Sequence, residues 1–109
     1  MPMIPGLPRG TLLLLILRVL RPGPLHGYAI AQRIRTLSSD ELSVEEGSLY
    51  PALQKALANG LVKAEWTRSE TGREVRTYRL TTKGEKQLKA EEQEYRRLAS
   101  AVSQVLESA

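Results

Sequence analysis

Apolar positions recur along this chain with a helical period, then with a strand period, then with a helical one again. Leu12 to Leu17 is an unbroken apolar run. Thr11 can cap a helix over it that reaches about Leu20, where Pro22, Gly23 and Pro24 stop it. Ahead of it, residues 1–9 hold Pro2, Pro5, Gly6 and Pro8 and read as a flexible, extended arm. A second helix is expected over Gly27 to Leu37, because Ile30, Ile34 and Leu37 share one face. A third should start near Glu45 or Glu46 and end at Asn59-Gly60, with Leu49, Leu53, Ala56 and Leu57 as its buried stripe and Pro51 in or near its first turns.

The period then shortens to two. Leu61 to Arg68 alternates, with Val62, Ala64 and Trp66 on one side and Lys63, Glu65 and Thr67 on the other. Val75 to Leu80 is rich in strand formers, and the polar residues from Ser69 to Arg73 between them predict the turn of a β-hairpin. After Leu80 the helical period returns. Thr82 and Glu85 have the spacing of a capping box, and the helix they open can run to about Glu107, roughly 39 Å at 1.5 Å per residue. Along it Leu88, Tyr95, Leu98, Val102 and Val105 make a three-four seam that Glu91 interrupts.

This order predicts a mainly α fold with a small β-hairpin, an α+β winged helix-turn-helix. The winged unit is expected over 1–81 and a dimerisation helix over 82–109. Two helices hold a third whose outer face can enter a major groove, the hairpin is a charged wing, and the long last helix has a seam that one small core does not need. The first helix can add Leu12, Leu13 and Ile16 to an interface built on the seam residues Leu88, Tyr95, Leu98, Val102 and Val105, since its leucines point all round.

Composition narrows the chemistry. A chain of 109 residues without cysteine and with one histidine has no disulfide, no thiolate site and no histidine cluster, so neither metal nor cofactor is expected. The net charge of +4 is a modest pointer to a polyanion. Its placement says more: Arg9, Arg18, Arg21, Arg33 and Arg35 precede any acid, and a second basic excess follows Gly60. The run from Leu12 to Leu17 is far below the roughly 20 residues that span a bilayer. It is followed by Arg18 and Arg21 rather than a cleavage site, so a buried helix of a cytoplasmic protein is the expectation, with no membrane partner.

The candidate contacts to double-stranded DNA follow from faces and reach. Tyr50 lies off the buried stripe of the third helix, where its hydroxyl can bond a phosphate or a base edge; packing against the wing is the alternative. One turn on, Gln54 can bond adenine and Lys55 guanine or phosphate, unless both simply face solvent. Gly47, Ser48 and Pro51 are candidates as well, the first two letting a phosphate approach the start of that helix. Glu45 and Glu46 suit the helix dipole but oppose phosphate. Arg68, Arg73 and Arg76 flank the wing turn and reach toward phosphate or a narrow minor groove. Tyr28 offers a hydroxyl to phosphate beside a packing role. His26 reads as a helix cap or phosphate contact rather than a catalytic group, and Trp66 as structural packing. With no nucleophile, acid–base pair or phosphate loop, an enzyme is not expected; a winged helix that binds protein instead of DNA is the alternative.

Four blocks add a resemblance. Pro24-Leu25-His26-Gly27-Tyr28-Ala29-Ile30, Gly47-Ser48-Leu49-Tyr50-Pro51-Ala52-Leu53, Gly60-Leu61-Val62 followed by Glu65-Trp66, and Tyr78-Arg79-Leu80-Thr81 followed by Lys83-Gly84 resemble motifs of the PadR family of bacterial regulators, in that family's order and spacing. The single last helix is similar to the family's short branch, and Glu45-Glu46 to its acidobacterial-type members. The resemblance implies a homodimeric repressor on a two-fold symmetric, inverted-repeat operator. It also implies, as in some members, a small hydrophobic effector at the dimer interface, for which Tyr95 is the candidate on the dimerisation helix. The wing tip Glu70-Thr71-Gly72-Arg73 is less basic than in many relatives.

Overall fold

Four helices and a three-stranded antiparallel sheet carry out this pattern. The computed structural model describes Leu7 and residues 10–109, so the expected arm over 1–9 lies, Leu7 apart, outside the described residues. Helix α1 is Thr11–Leu20, α2 is Gly27–Leu37, α3 is Glu46–Ala58 and α4 is Thr82–Ser108; strands β1, β2 and β3 are Leu25–His26, Val62–Arg68 and Glu74–Leu80. The sheet order is β1-β3-β2. β1 was not foreseen: two residues are too few to show a period, and only their pairing with Tyr78 and Thr77 makes them a strand.

The core is one cluster. Ile16, Leu17, Val19 and Leu20 of α1 meet Ile30 and Ile34 of α2, Leu49, Leu53 and Ala56 of α3, Leu61, Val62 and Tyr78 from the sheet, and Leu88 of α4. Leu12 to Leu15 are half-buried around it. Thr11, expected as a cap, is instead the first helical residue; Gly10 precedes it as the cap and supplies no side-chain bond. His26 does cap α2, its Nδ1 accepting the Ala29 N–H at 3.3 Å. Pro51 falls in the second turn of α3, where it leaves the carbonyl of exposed Gly47 without its helical donor.

The junction from wing to α4 is tighter than the capping-box spacing suggests, and the cap is Thr81, not Thr82. Thr81 is extended, with φ −91° and ψ 170°, and its Oγ1 accepts the Gly84 N–H at 2.9 Å. The same hydroxyl lies 2.7 Å from the Gly60 carbonyl and 3.0 Å from that of Leu61, and the Thr81 N–H donates to Leu61 at 3.1 Å. Thr81 therefore ties the end of α3, the start of the wing and the start of α4 together. Gly84 is required by closeness: a Cβ there would sit 2.0 Å from the Leu61 carbonyl oxygen.

Only the start of α4 belongs to this core. Gly84 and Leu88 are buried, whereas every residue from Gln93 onward is exposed. That free portion, about 24 Å at 1.5 Å per residue, stretches the molecule to 56 × 34 × 22 Å. The radius of gyration of 15.3 Å exceeds the roughly 13 Å of a compact chain this long.

Candidate nucleic-acid interface

Helix α3 turns Leu49, Leu53 and Ala56 inward, so Gly47, Ser48, Pro51, Gln54 and Lys55 are left exposed. Tyr50 departs from that group. It is 41% exposed, and its ring leans on α2: a Cβ built on Gly27 would lie 3.0 Å from its hydroxyl oxygen and 3.0 Å from its Cε1. Gly27 is therefore the surface that receives the Tyr50 ring.

Tyr50 in this position lines an open groove of about 920 Å³ between the start of α2 and the hairpin. Tyr28, Arg68, Arg73 and Arg76 line it too. The ten expected DNA contacts thus fall into two groups of five: these in the groove, and Gly47, Ser48, Pro51, Gln54 and Lys55 on the outer side of α3, none of which lines it. Tyr28 stands at the groove's edge, its hydroxyl accepting the Gln32 side-chain N–H at 3.1 Å.

The register of the hairpin decides which wing residues face the groove. Ala64 pairs with Tyr78, Trp66 with Arg76 and Arg68 with Glu74. Directly paired residues share a face of the sheet. The face that begins in the core at Val62, Ala64 and Tyr78 therefore continues outward as Trp66 and Arg76, then as Arg68 opposite Glu74. The opposite face is closed on itself, with Arg79 paired to Glu65 at 3.0 Å and the Thr67 and Thr77 hydroxyls 2.6 Å apart. Ser69 orders the turn: its carbonyl accepts the Gly72 N–H and its Oγ the Arg73 N–H.

Trp66 overturns its expected role. It is 68% exposed, because the core ends near Ala64 while the sheet goes on. Its alternation with Val62 and Ala64 was visible in the sequence; where the core would end was not.

Electrostatics favour an anionic partner on this side. The four ion pairs among the described residues are Arg35–Asp40, Arg79–Glu65, Arg96–Glu92 and Arg97–Glu94. None engages Lys55, Arg68, Arg73 or Arg76, whose charges stay available. Arg76 lies 6.0 Å from the centre of the Tyr78 ring, a cation–π distance that steers the guanidinium over the groove floor. Tyr78 itself is held neutral: burial raises its pKa above the ordinary 10.0, against the charge of Arg76 and with a smaller push from Tyr50. Glu70 and Glu74 temper the wing, as Glu45 and Glu46 do the start of α3.

The expected dimerisation residues also divide. Ile16 and Leu88 are buried in the protomer's own core, where a partner cannot reach them; both lie on faces that the winged unit itself uses. Leu12 and Leu13 are half-buried. Tyr95, Leu98, Val102 and Val105 are exposed, joined by Leu106, which the heptad reading passed over.

Comparison with known proteins agrees with this architecture. Residues 16–90 match the model of the transcriptional regulator PadR-like family. A transcriptional regulator from Clostridium thermocellum superimposes with a TM-score of 0.80 at 28% identity, over 88% of this chain and 93% of that one. A PadR family transcription regulator from Clostridium difficile gives 0.78 at 28%, over 89% and 99%. A PadR family transcriptional regulator from Eggerthella lenta gives 0.76 at 31%, over 93% and 86%. The chain is also 40% identical over 89 residues, 82% of its length, to an uncharacterized 37.1 kDa protein in a transposon of Streptomyces fradiae, and it spans 24% of that protein.

Proposed function

The chain belongs to the PadR-like family of transcriptional regulators, and from that premise we propose that it works as a homodimeric repressor that reads an inverted-repeat operator in the cytoplasm. As a member of this family it is a DNA-binding regulator with a winged-helix fold, not an enzyme. Among the described residues no helix is long and apolar enough to cross a membrane.

The observation that carries the reading is an exposed polar face on α3, with Gln54 and Lys55 on it, together with a groove lined by Tyr50 of the same helix and by three wing arginines outside the ion pairs. The outer side of α3 enters the major groove, where Gln54 and Lys55 meet base edges and Gly47, Ser48 and Pro51 lie near the backbone. Tyr28, Tyr50, Arg68, Arg73 and Arg76 serve the adjacent phosphates. Repression follows from occupancy, since a bound dimer excludes other proteins from the same DNA.

Two-fold pairing is supported by the bare stripe of Tyr95, Leu98, Val102, Val105 and Leu106. In water such a stripe gains free energy from a partner, and a second copy offers the matching seam. The winged unit over 1–81 therefore extends in function to the first turns of α4, and the pairing role falls to the rest of 82–109. Tyr95 lies on that stripe, and a small hydrophobic effector entering the seam would meet its ring.

Fluorescence-anisotropy titrations at several salt concentrations test the division of labour on the DNA. Gln54→Ala should relax sequence preference by about 1 to 3 kcal/mol. Arg73→Ala should weaken all sequences alike and make the salt dependence shallower by about one unit of slope. If duplex affinity proved insensitive to salt, the reading would be wrong and protein would be the better partner.

A further inference from the structure

Trp66 lies outside the hydrophobic core. Its ring is 68% exposed on the groove-facing side of the wing, its cross-strand neighbour is Arg76, and Arg68 follows on the same strand face. Large apolar groups left in water cost free energy, and a protein this small has few reasons to keep its sole tryptophan there. Phosphate alone does not explain it either, because guanidinium groups bind phosphate without an indole.

The surroundings say what would. Trp66 shares the groove with Tyr28, Tyr50 and three arginines that form none of the ion pairs, so the groove keeps a positive excess although Glu70 and Glu74 also line it. Alternating positive and flat apolar groups match a chain in which phosphates alternate with apolar sugar faces. The groove is open rather than enclosed, as a long strand requires. From its place between α2 and the wing, it would lie alongside the face of α3 that carries Gln54 and Lys55.

We infer that this groove seats one strand of the DNA, with the Trp66 indole packed on a deoxyribose face and Arg76 and Arg68 on the flanking phosphates. This rests on the proposed DNA reading of α3 and the wing. It adds a contact of a different kind, apolar and indifferent to salt, to the charged ones. Trp66 then strengthens binding to every sequence, and the wing holds the backbone by shape as well as by charge.

The sole tryptophan makes the test direct, because all indole fluorescence reports on position 66. In the free protein acrylamide should quench it strongly. On saturation with a 30-base-pair duplex the quenching constant should fall severalfold. In parallel, Trp66→Ala should weaken duplex binding by on the order of tenfold with its salt slope unchanged, and Trp66→Phe should recover most of the loss. Arg76→Ala should instead lower the slope by about one. The exposed position makes the Trp66 variants compatible with folding, which thermal unfolding checks. The inference is overturned if Trp66 remains as open to acrylamide in the complex as in the free protein, which would leave the groove to some other occupant. It is also overturned if Trp66→Ala binds like the parent. Failure of the parent itself to bind duplex in a salt-dependent way would refute the DNA reading instead.

Discussion

Replacing Gly84 by alanine asks whether the wing-to-α4 junction is as close as it looks. The added Cβ would stand 2.0 Å from the Leu61 carbonyl oxygen, 2.7 Å from Leu80 Cδ1 and 3.0 Å from the Leu61 carbonyl carbon. Leu80 can turn aside, but the Leu61 carbonyl cannot, since it accepts the Thr81 N–H at 3.1 Å and faces the Thr81 hydroxyl at 3.0 Å. Carbon and oxygen approach to about 3.3 Å, so α4 must retreat by about 1.3 Å. That movement drags Leu88 out of register with the core and loosens the bonds around Thr81. Overpacking costs about 1 to 3 kcal/mol, and each weakened bond about 1 kcal/mol more. Alanine returns about 1 kcal/mol as the better helix former. The net loss is about 2 to 4 kcal/mol, or roughly 8 to 16 °C in Tm at about 4 °C per kcal/mol. Circular dichroism melts at fixed protomer concentration measure it, with Gly23→Ala as control, because a Cβ at Gly23 meets nothing within 4 Å. A Gly84→Ala protein that melts with or above the parent would refute the reasoning.

Three further outcomes follow from the same geometry. Gly27→Ala meets a side chain rather than backbone, so it should cost little stability yet displace Tyr50 and weaken duplex binding severalfold; in a Tyr50→Ala background the same change should have no effect, and additive losses in that cycle would disprove the coupling. The pair Leu98→Glu and Val102→Glu should yield a folded monomer in sedimentation velocity, since both positions are exposed in the protomer, and an unchanged dimer would remove α4 as the seam. Tyr78 keeps its proton in the folded chain to higher pH than in the unfolded one. Its contribution to stability is therefore full below the unfolded value of 10.0 and is lost as pH rises through the raised folded value. The urea midpoint of the parent should fall relative to that of Tyr78→Phe over that alkaline range; parallel curves would contradict it.

Much of this arrangement is legible in the sequence, and the exceptions share a cause. Ile30 and Ile34 are buried where the helical period marks them and α2 has the expected limits, Gly27–Leu37, although Leu37 at its end is exposed. The hairpin and its turn likewise stand where alternation and the Ser69 to Arg73 cluster put them. Periodicity reports which side of an element is apolar, but not how far the neighbouring core extends. Hence Trp66, on the apolar side of β2, emerges beyond the core. Leu88, on the seam side of α4, is absorbed into it. Tyr50 was placed off the buried stripe, but its contact with Gly27 depends on how α2 and α3 meet, which neither segment encodes alone. Capping-box spacing points to Thr82 as the cap, and only the carbonyls of Gly60 and Leu61, brought alongside by the fold, select Thr81 instead.

The central claim, a dimer reading DNA with paired α3 helices, is tested most directly by selecting bound duplexes from a random pool with the intact 109-residue chain. A two-fold dimer should enrich an inverted repeat whose half-site centres lie about 10 to 10.5 base pairs apart, or a multiple of that. Enrichment of single, unpaired half-sites, or of no sequence at all, would contradict it.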